Sequence, residues 1–210
     1  SEAGTTDVTG RGWPVHLAHG PVGLRPLRVR DANVWSDLRI RNEAWLTRWE
    51  GRPPDAPETT WAERHSTSTY AAMLRVLRRE SKAGRCLPFA VTYDRALVGQ
   101  ITVQNVIRGA FNSGTIGYWM DEAFAGRGVM TTAVALVVDH CFGPVGLHRI
   151  EANVRPENAP SLRLLEKVGF RPEGARSRYL FIDGGWRDHL GFALTVEDLP
   201  GGVLAGLENR

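Results

Sequence analysis

With 210 residues, 42% of them hydrophobic and 23% charged, the chain has enough apolar material for the core of one domain and is neither disordered nor fibrous in composition. No apolar run approaches the roughly 18–20 residues that span a bilayer, and the start lacks the basic-then-apolar pattern of a secretory leader. Two cysteines, Cys86 and Cys141, make neither a disulfide framework nor a metal-binding spacing, and a net charge of +3 is mildly basic, so a reduced, cytoplasmic protein is expected.

Residues 1–20, rich in Gly, Thr and His and without periodicity, read as a loose arm before a single domain over 21–200 and a tail over 201–210. Leu24, Leu27 and Val29 suggest a first strand. Asp31 then caps a helix carrying Val34, Trp35, Leu38, Ala44, Trp45 and Leu46, and residues 51–57 form a loop. The spacing predicts one long helix from Thr59 to Ala83, with Tyr70, Met73, Leu74 and Leu77 on one side and Arg75, Arg78, Arg79 and Lys82 on the other. That basic side reads either as the solvated face of an amphipathic helix or as an electrostatic dock for RNA or an acidic partner.

Leu87–Tyr93 and Leu97–Val106 read as strands joined by the tight turn Asp94-Arg95-Ala96, and Thr115–Met120 as a third strand after a turn around 109–114. A helix over Val129–Phe142, a strand over Arg149–Val154 and a helix over 161–168 opened by Asn158 come next. The strands Phe170–Ile182 and Trp186–Thr195 meet at Asp183-Gly184-Gly185. Hairpins succeeded by strand–helix–strand imply an α/β (α+β) architecture, a mixed sheet with helices packed on it.

The segment from Tyr118 to Thr132 carries the most chemistry. A strand enters a turn containing Gly126 and Gly128, and the turn opens directly into an apolar helix. Such a turn leaves backbone N–H groups unpaired at the helix start, where the positive end of the helix dipole adds to them, and so makes an anion site suited to a pyrophosphate. Glycine at 126 and 128 lets the phosphates approach without a Cβ in the way, Thr131 adds a hydroxyl and Arg127 a charge. By itself Gly-x-Gly equally marks a tight strand-to-helix turn. The third glycine of a dinucleotide fingerprint is missing, as is the Gly-Lys-Ser/Thr ending of a P-loop.

The next strand and helix sharpen the pattern. Ala125-Gly126-Arg127-Gly128-Val129-Met130-Thr131-Thr132-Ala133 resembles the CoA-binding motif of the GNAT acetyltransferases, and Asn158 to Phe170 resembles that superfamily's second landmark, an Asn-led helix ending in Gly-Phe. Within the superfamily, Val106-Ile107-Arg108-Gly109, His148-Arg149-Ile150 and the run Tyr179 to His189 resemble the alanine-specific branch of the Rim-type enzymes that acetylate the N-termini of ribosomal proteins. The resemblance spans about residues 22–196. It implies a central, mostly antiparallel twisted sheet of about seven strands flanked by helices, whose splayed parallel strands hold acetyl-CoA, with no metal. It also implies a protein N-terminus, ribosomal and beginning with alanine, as partner. A small amine as acceptor, or a non-catalytic module that binds CoA or docks on RNA, are the alternatives.

By the same resemblance, backbone groups of Gly126, Arg127, Gly128, Val129, Met130 and Thr131 hold the pyrophosphate, those of Trp119 and Met120 pair with the pantetheine arm, and Asn158 bonds to it. The Gln or Arg common before the first glycine is Ala125 here, and Met130 stands at the third small position. Arg41 to Glu50 resembles the acceptor-side helix and loop, which puts Trp49 and Glu50 near the acceptor, with Asn153 and Tyr179 as further candidates.

The tyrosine by which many superfamily members protonate the leaving thiolate corresponds to Leu165, and the glutamates that serve as base elsewhere correspond to Asn153 and Leu180. Ser161, at the position of the hydroxyl used by a serine-specific relative, is the candidate acid. Glu151 shares a strand face with Asn153 and is either a relay carboxylate or a structural partner of Arg149 or His148. An α-amine with a pKa near 7.7–8.0 gives up its proton at pH 7 for only about 1 kcal/mol, whereas a lysine near 10.4 costs nearly 5 kcal/mol, so a site without an evident base suits an N-terminus.

Overall fold

In the computed structural model, residues 12–208 are described. Turn chemistry sets much of the sheet. Asp94 and Arg95 both take positive φ, 46° and 69°, as a two-residue I′ hairpin loop requires, and they join β3 (Leu87–Tyr93) to β4 (Ala96–Ile107). Asp183 and Gly184 do the same, at 52° and 71°, between β7 (Arg171–Ile182) and β8 (Gly185–Thr195). The other strands are β1 (Leu17–His19), β2 (Val22–Pro26), β5 (Ser113–Met120) and β6 (Arg149–Val154). All eight form one sheet in the order β1-β2-β3-β4-β5-β6-β8-β7, antiparallel except for β5 beside β6.

Seven helices complete the described chain: α1 (Ala32–Arg41), α2 (Glu43–Leu46), α3 (Trp61–Arg64), α4 (Thr67–Lys82), α5 (Val129–Phe142), α6 (Ala159–Val168) and α7 (Val203–Glu208). Ten of the fourteen residues of α5 are apolar, and such a helix is stable only when buried on most sides. It lies in the larger core, with Ala133, Val134, Val137 and Val138 at 0% exposure among the sheet's Phe89, Ile101 and Ile150 and α6's Leu165. A smaller core on Leu27, Trp35, Leu38, Tyr70 and Leu74 seats α1 and α4 against Ala90 and Leu97. Cys141 is fully buried and burial pushes its thiol up to about 12, the behaviour of a small hydrophobe.

The sheet has one strand more than expected, because the arm is not loose where it is described. Trp13 is buried edge-on against Phe89, His140 Nε2 lies 2.6 Å from the Gly12 carbonyl, and residues 17–19 form β1. Residues 1–11 of that arm, and 209–210 of the tail, fall outside the described residues. The tail carries a docked helix: the Asp139 carboxylate on α5 accepts the N–H groups of Val203 and Leu204 at 2.6 and 3.0 Å and so caps α7.

The expected helix over Thr59–Ala83 is two. Thr60 and Glu63 close a capping box that starts α3, and Ser66 accepts the Thr69 N–H to start α4, so the chain turns at His65. Val29 lies outside the strand in a 3-10 turn and is 65% exposed, while Asp31 precedes α1 without capping it, since its carboxylate takes the Arg25 fork at 2.7 and 2.8 Å and the Arg28 N–H. On α4, Arg75, Arg78, Arg79 and Lys82 face solvent, and Glu80 pairs with Arg79 and with Arg85 beyond the helix. This is the solvated face of an amphipathic helix, and no feature of it favours the RNA dock.

Candidate active site

Between the parallel strands the ladder opens. Its pairs are Ser113↔Arg149, Gly114↔Ile150 and Thr115↔Glu151, and beyond them β5 and β6 diverge. β6 has its full antiparallel partner in β8 as far as Val154↔Leu190, while β5 from Ile116 to Met120 is paired only with β4. A groove of about 920 Å³ runs along this gap, lined by β4, the far end of β5, the starts of α5 and α6, and the loop that comes after α1 and α2.

At one end stands the glycine turn. Gly126 and Gly128 adopt φ +76° and +75°, and a Cβ at either would meet nothing within 4 Å, so both α-carbons face open space. The first helical bond of α5 runs from the Thr132 N–H to the Gly128 carbonyl at 2.9 Å, which leaves the N–H groups of Val129, Met130 and Thr131 without intrahelical partners. No side chain caps this end. The geometry fits an anion held by main-chain donors at the positive end of a 14-residue helix. Arg127 takes no part in the lining; its guanidinium lies 5.3 Å from the Phe124 ring.

The opposite wall is α6. Asn158 occupies its N-cap, with the side-chain oxygen accepting the Ser161 N–H at 3.2 Å, and both residues line the groove. Ser161 is 9% exposed, and its Oγ lies 2.7 Å from the Tyr118 hydroxyl. Alternation along β5 decides this contact, since Tyr118 faces α6 and the larger core while Trp119 packs with the α1–α4 cluster on the other side. Burial pushes the Tyr118 phenol up to about 12. The Met120 carbonyl accepts the Trp45 indole N–H at 3.2 Å.

The end of the groove beside Trp49 and Glu50 gathers groups far apart in sequence. Glu50 pairs with the buried Arg39, whose guanidinium also lies within 5.8, 5.1 and 4.8 Å of the Trp35, Trp61 and Trp119 rings. His65 donates from Nδ1 to the Trp61 carbonyl at 2.8 Å and turns Nε2 toward Arg39 at 2.8 Å and Glu50 at 3.0 Å. Burial first, and then Arg39, pull His65 down to about 4, so it is neutral at pH 7 and accepts from Arg39. Burial and the repulsion of Arg64 lower Arg39 to about 9, which leaves it charged. Trp49 sits between the guanidiniums of Arg48 and Arg155, 4.9 and 5.6 Å away. Gln100, Thr102 and Gln104, alternate residues of β4, continue the polar lining.

Of the residues marked in the sequence, the groove thus brings together Trp49, Glu50, Trp119, Met120, Gly126, Gly128, Val129, Met130, Thr131, Asn158 and Ser161. Glu151 is corrected to a structural partner: it accepts from Arg149 at 2.9 Å and Arg176 at 3.3 Å and lies outside the lining. Tyr179 also lies outside the groove, 37% exposed on the sheet's outer strand, edge-on to His189 and under the Arg176 guanidinium. Asn153 does not line the groove, although its Oδ1 is buried without a partner. Sequence reasoning missed Tyr118, Arg39 and His65. Tyr118 stood in the motif, but no local signal brings it to a serine 43 residues away.

Splayed parallel strands, a main-chain anion cradle at the start of the helix after them and an Asn-capped helix opposite define a GNAT acetyltransferase. A family model described as an acetyltransferase (GNAT) domain matches residues 22–171, and the chain belongs to that family. It is an N-acetyltransferase whose acetyl donor is acetyl-CoA. Among individual proteins, it is 44% identical to Mycobacterium smegmatis RimJ, solved in complex with CoA-disulfide, with a TM-score of 0.89 over 94% of this chain and 95% of that one. It is 36% identical over 175 residues to "Probable N-acetyltransferase YjcK" of Bacillus subtilis, covering 83% of this chain and 94% of the relative. The [ribosomal protein uS5]-alanine N-acetyltransferase of Escherichia coli is 31% identical over 186 residues, or 88% of this chain and 92% of that protein. Among the described residues no group of three or more His, Cys, Asp or Glu is placed to hold a metal ion, and no helix is long and apolar enough to cross a membrane.

Proposed function

We propose that the protein acetylates the N-terminal α-amine of another protein, with a ribosomal protein beginning with alanine as its acceptor. The observation that carries this reading is that the groove, among the described residues, holds no free carboxylate. Its lining contains two carboxylates, and both are paired with arginines: Glu50 with Arg39, Glu157 with Arg155. Glu151, the remaining candidate base, is held between two arginines outside the lining. A site so built has little means to deprotonate a lysine near pKa 10.4, whereas an α-amine near 8 is already partly neutral and needs mainly positioning. The Escherichia coli relative's name and the likeness to a RimJ enzyme support the same class of acceptor.

In this reading acetyl-CoA supplies the activated acetyl group. The N–H groups of residues 129–131 and the glycines before them hold its pyrophosphate, and Asn158 and the free edge of β5 hold the pantetheine arm. Trp49 and Glu50 border the acceptor's approach, and a water relay removes the proton once attack begins. Ser161 donates a hydrogen bond to the departing sulfur. The test is mass spectrometry of an Ala-led peptide that also contains an internal lysine. The expected product is acetylated at the α-amine, at a rate that rises with pH toward the acceptor's own pKa. Acetylation chiefly at the lysine, or rapid acetylation of small amines with none of peptides, would overturn the assignment.

A further inference from the structure

By the family resemblance Leu165 takes the place of a tyrosine on α6, and the groove has a tyrosine contributed instead by the facing strand, Tyr118. We propose that Tyr118 is a positioning residue for the reaction: its hydroxyl donates to Ser161 Oγ across 2.7 Å and so turns the serine's own proton toward the sulfur that leaves. The inference rests on Ser161 as the donor to that sulfur, but not on the identity of the acceptor.

The relative acidity of the two hydroxyls supports this direction of donation. A phenol is the stronger acid of the pair, so it takes the donor role and the serine oxygen the acceptor role. Ser161 is the only hydrogen-bond partner of the Tyr118 hydroxyl among the described residues. The serine is fixed from a second side, since its N–H is bound to Asn158, and at 9% exposure it has little freedom to turn. A hydroxyl that accepts one hydrogen bond becomes a better donor of the next, and the low-dielectric setting strengthens both. Burial keeps the phenol protonated through the usual assay range, so the arrangement persists wherever the enzyme is measured.

Atoms and charges balance over the transfer. The amine nitrogen forms a bond to the acetyl carbon and loses one proton to solvent; the C–S bond breaks and its electron pair stays on sulfur. Ser161 O–H stabilises that developing charge, and the thiolate takes a proton from solvent, so Tyr118 and Ser161 finish the cycle in their starting protonation states. A full proton transfer from Tyr118 is not required, nor would it be favourable from a phenol near pKa 12 to a thiolate whose thiol is near 8.5.

The test combines Tyr118→Phe, Ser161→Ala and the double variant, with thiol release measured for whichever amine the enzyme turns over and acetyl-CoA affinity measured by calorimetry. Tyr118→Phe should lower kcat about ten-fold with Kd for acetyl-CoA and Tm nearly unchanged, the worth of one hydrogen bond made in the transition state. Ser161→Ala should lower kcat by at least as much, and the double variant should be no slower than Ser161→Ala, because the tyrosine acts through the serine. An unchanged kcat in Tyr118→Phe, a loss confined to Kd or Tm, or losses that multiply in the double variant would each overturn the proposal. If peptides are not acetylated but small amines are, the acceptor assignment fails while the kcat ratios on those amines still decide the role of Tyr118.

Discussion

At the scale of residues, Gly128 shows how directly a backbone requirement can be read. Its φ of +75° lies in the region that favours glycine, and the Cβ of any other residue would project into the open space before the α5 N–H groups. Gly128→Val should therefore cost about 1–2 kcal/mol of stability through strain. It should also raise the Kd for CoA about ten-fold or more by obstructing the phosphates. Calorimetric titration with CoA checks this, and an unchanged Kd would remove the glycine turn from the binding site. Tyr118 shows the opposite case. Its strand and face are legible from alternation, but its partner Ser161 depends on how closely α6 approaches β5, a matter of packed side-chain volume rather than of local pattern.

At the scale of elements, a buried carboxylate helps to tie the α1–α2 segment to the strand that leads into the glycine turn. Asp121, 2% exposed at the end of β5, accepts from Asn42 at 2.9 Å and from Arg41, while Asn42 in turn accepts the Glu122 N–H at 2.9 Å. These bonds tie the junction of α1 and α2 to the strand that enters the glycine turn. Burial pushes the Asp121 carboxyl up, but the bonds from Asn42, Arg41 and the Ala123 N–H outweigh it and hold it below its ordinary value. Asp121→Ala should leave buried donors unpaired and cost about 1–3 kcal/mol, visible as a lower urea midpoint. It should also loosen the acceptor loop and raise KM for the amine more than for acetyl-CoA. Equal stability of variant and parent would show that the latch contributes nothing. Elements with strong local signals, such as α5 with its apolar run and β7–β8 with its Asp-Gly turn, are legible in the sequence. The break at His65 is not, because apolar spacing continues across it and only the caps at Thr60 and Ser66 announce it.

At the scale of the molecule, the site under the acceptor loop ties stability to pH. His65 is held near pKa 4 in the fold, against about 6.5 unfolded, by burial and by Arg39, with Arg64 adding to it and the Trp61 carbonyl and Glu43 opposing. Because the unfolded chain binds the proton more readily, stability should be nearly flat above pH 7 and fall as the pH drops from about 6.5 toward 4. Urea midpoints across that range measure it, and His65→Gln should flatten the slope between pH 5 and 7. A parent profile already flat there would mean that His65 titrates normally and that the Arg39–Glu50–His65 cluster is not preorganised.

Taken alone, the sequence determined what is local: the glycine turn before an apolar helix, the Asn-led helix, the hairpins and the mixed sheet, and from the motifs the family. These arise from backbone conformation and from side-chain periodicity, which act over a few residues. Only the tertiary structure decided which charged groups are free. Glu151 looks available on its strand until Arg176, 25 residues away, closes on it, and Glu50 gains Arg39 from another element. The edge of the sheet was decided in the same way, since Trp13 packs edge-on to Phe89 within the larger core. Desolvation drives each of these pairings: a buried charge or indole must find its partner wherever the fold places one, and no spacing along the chain encodes that meeting.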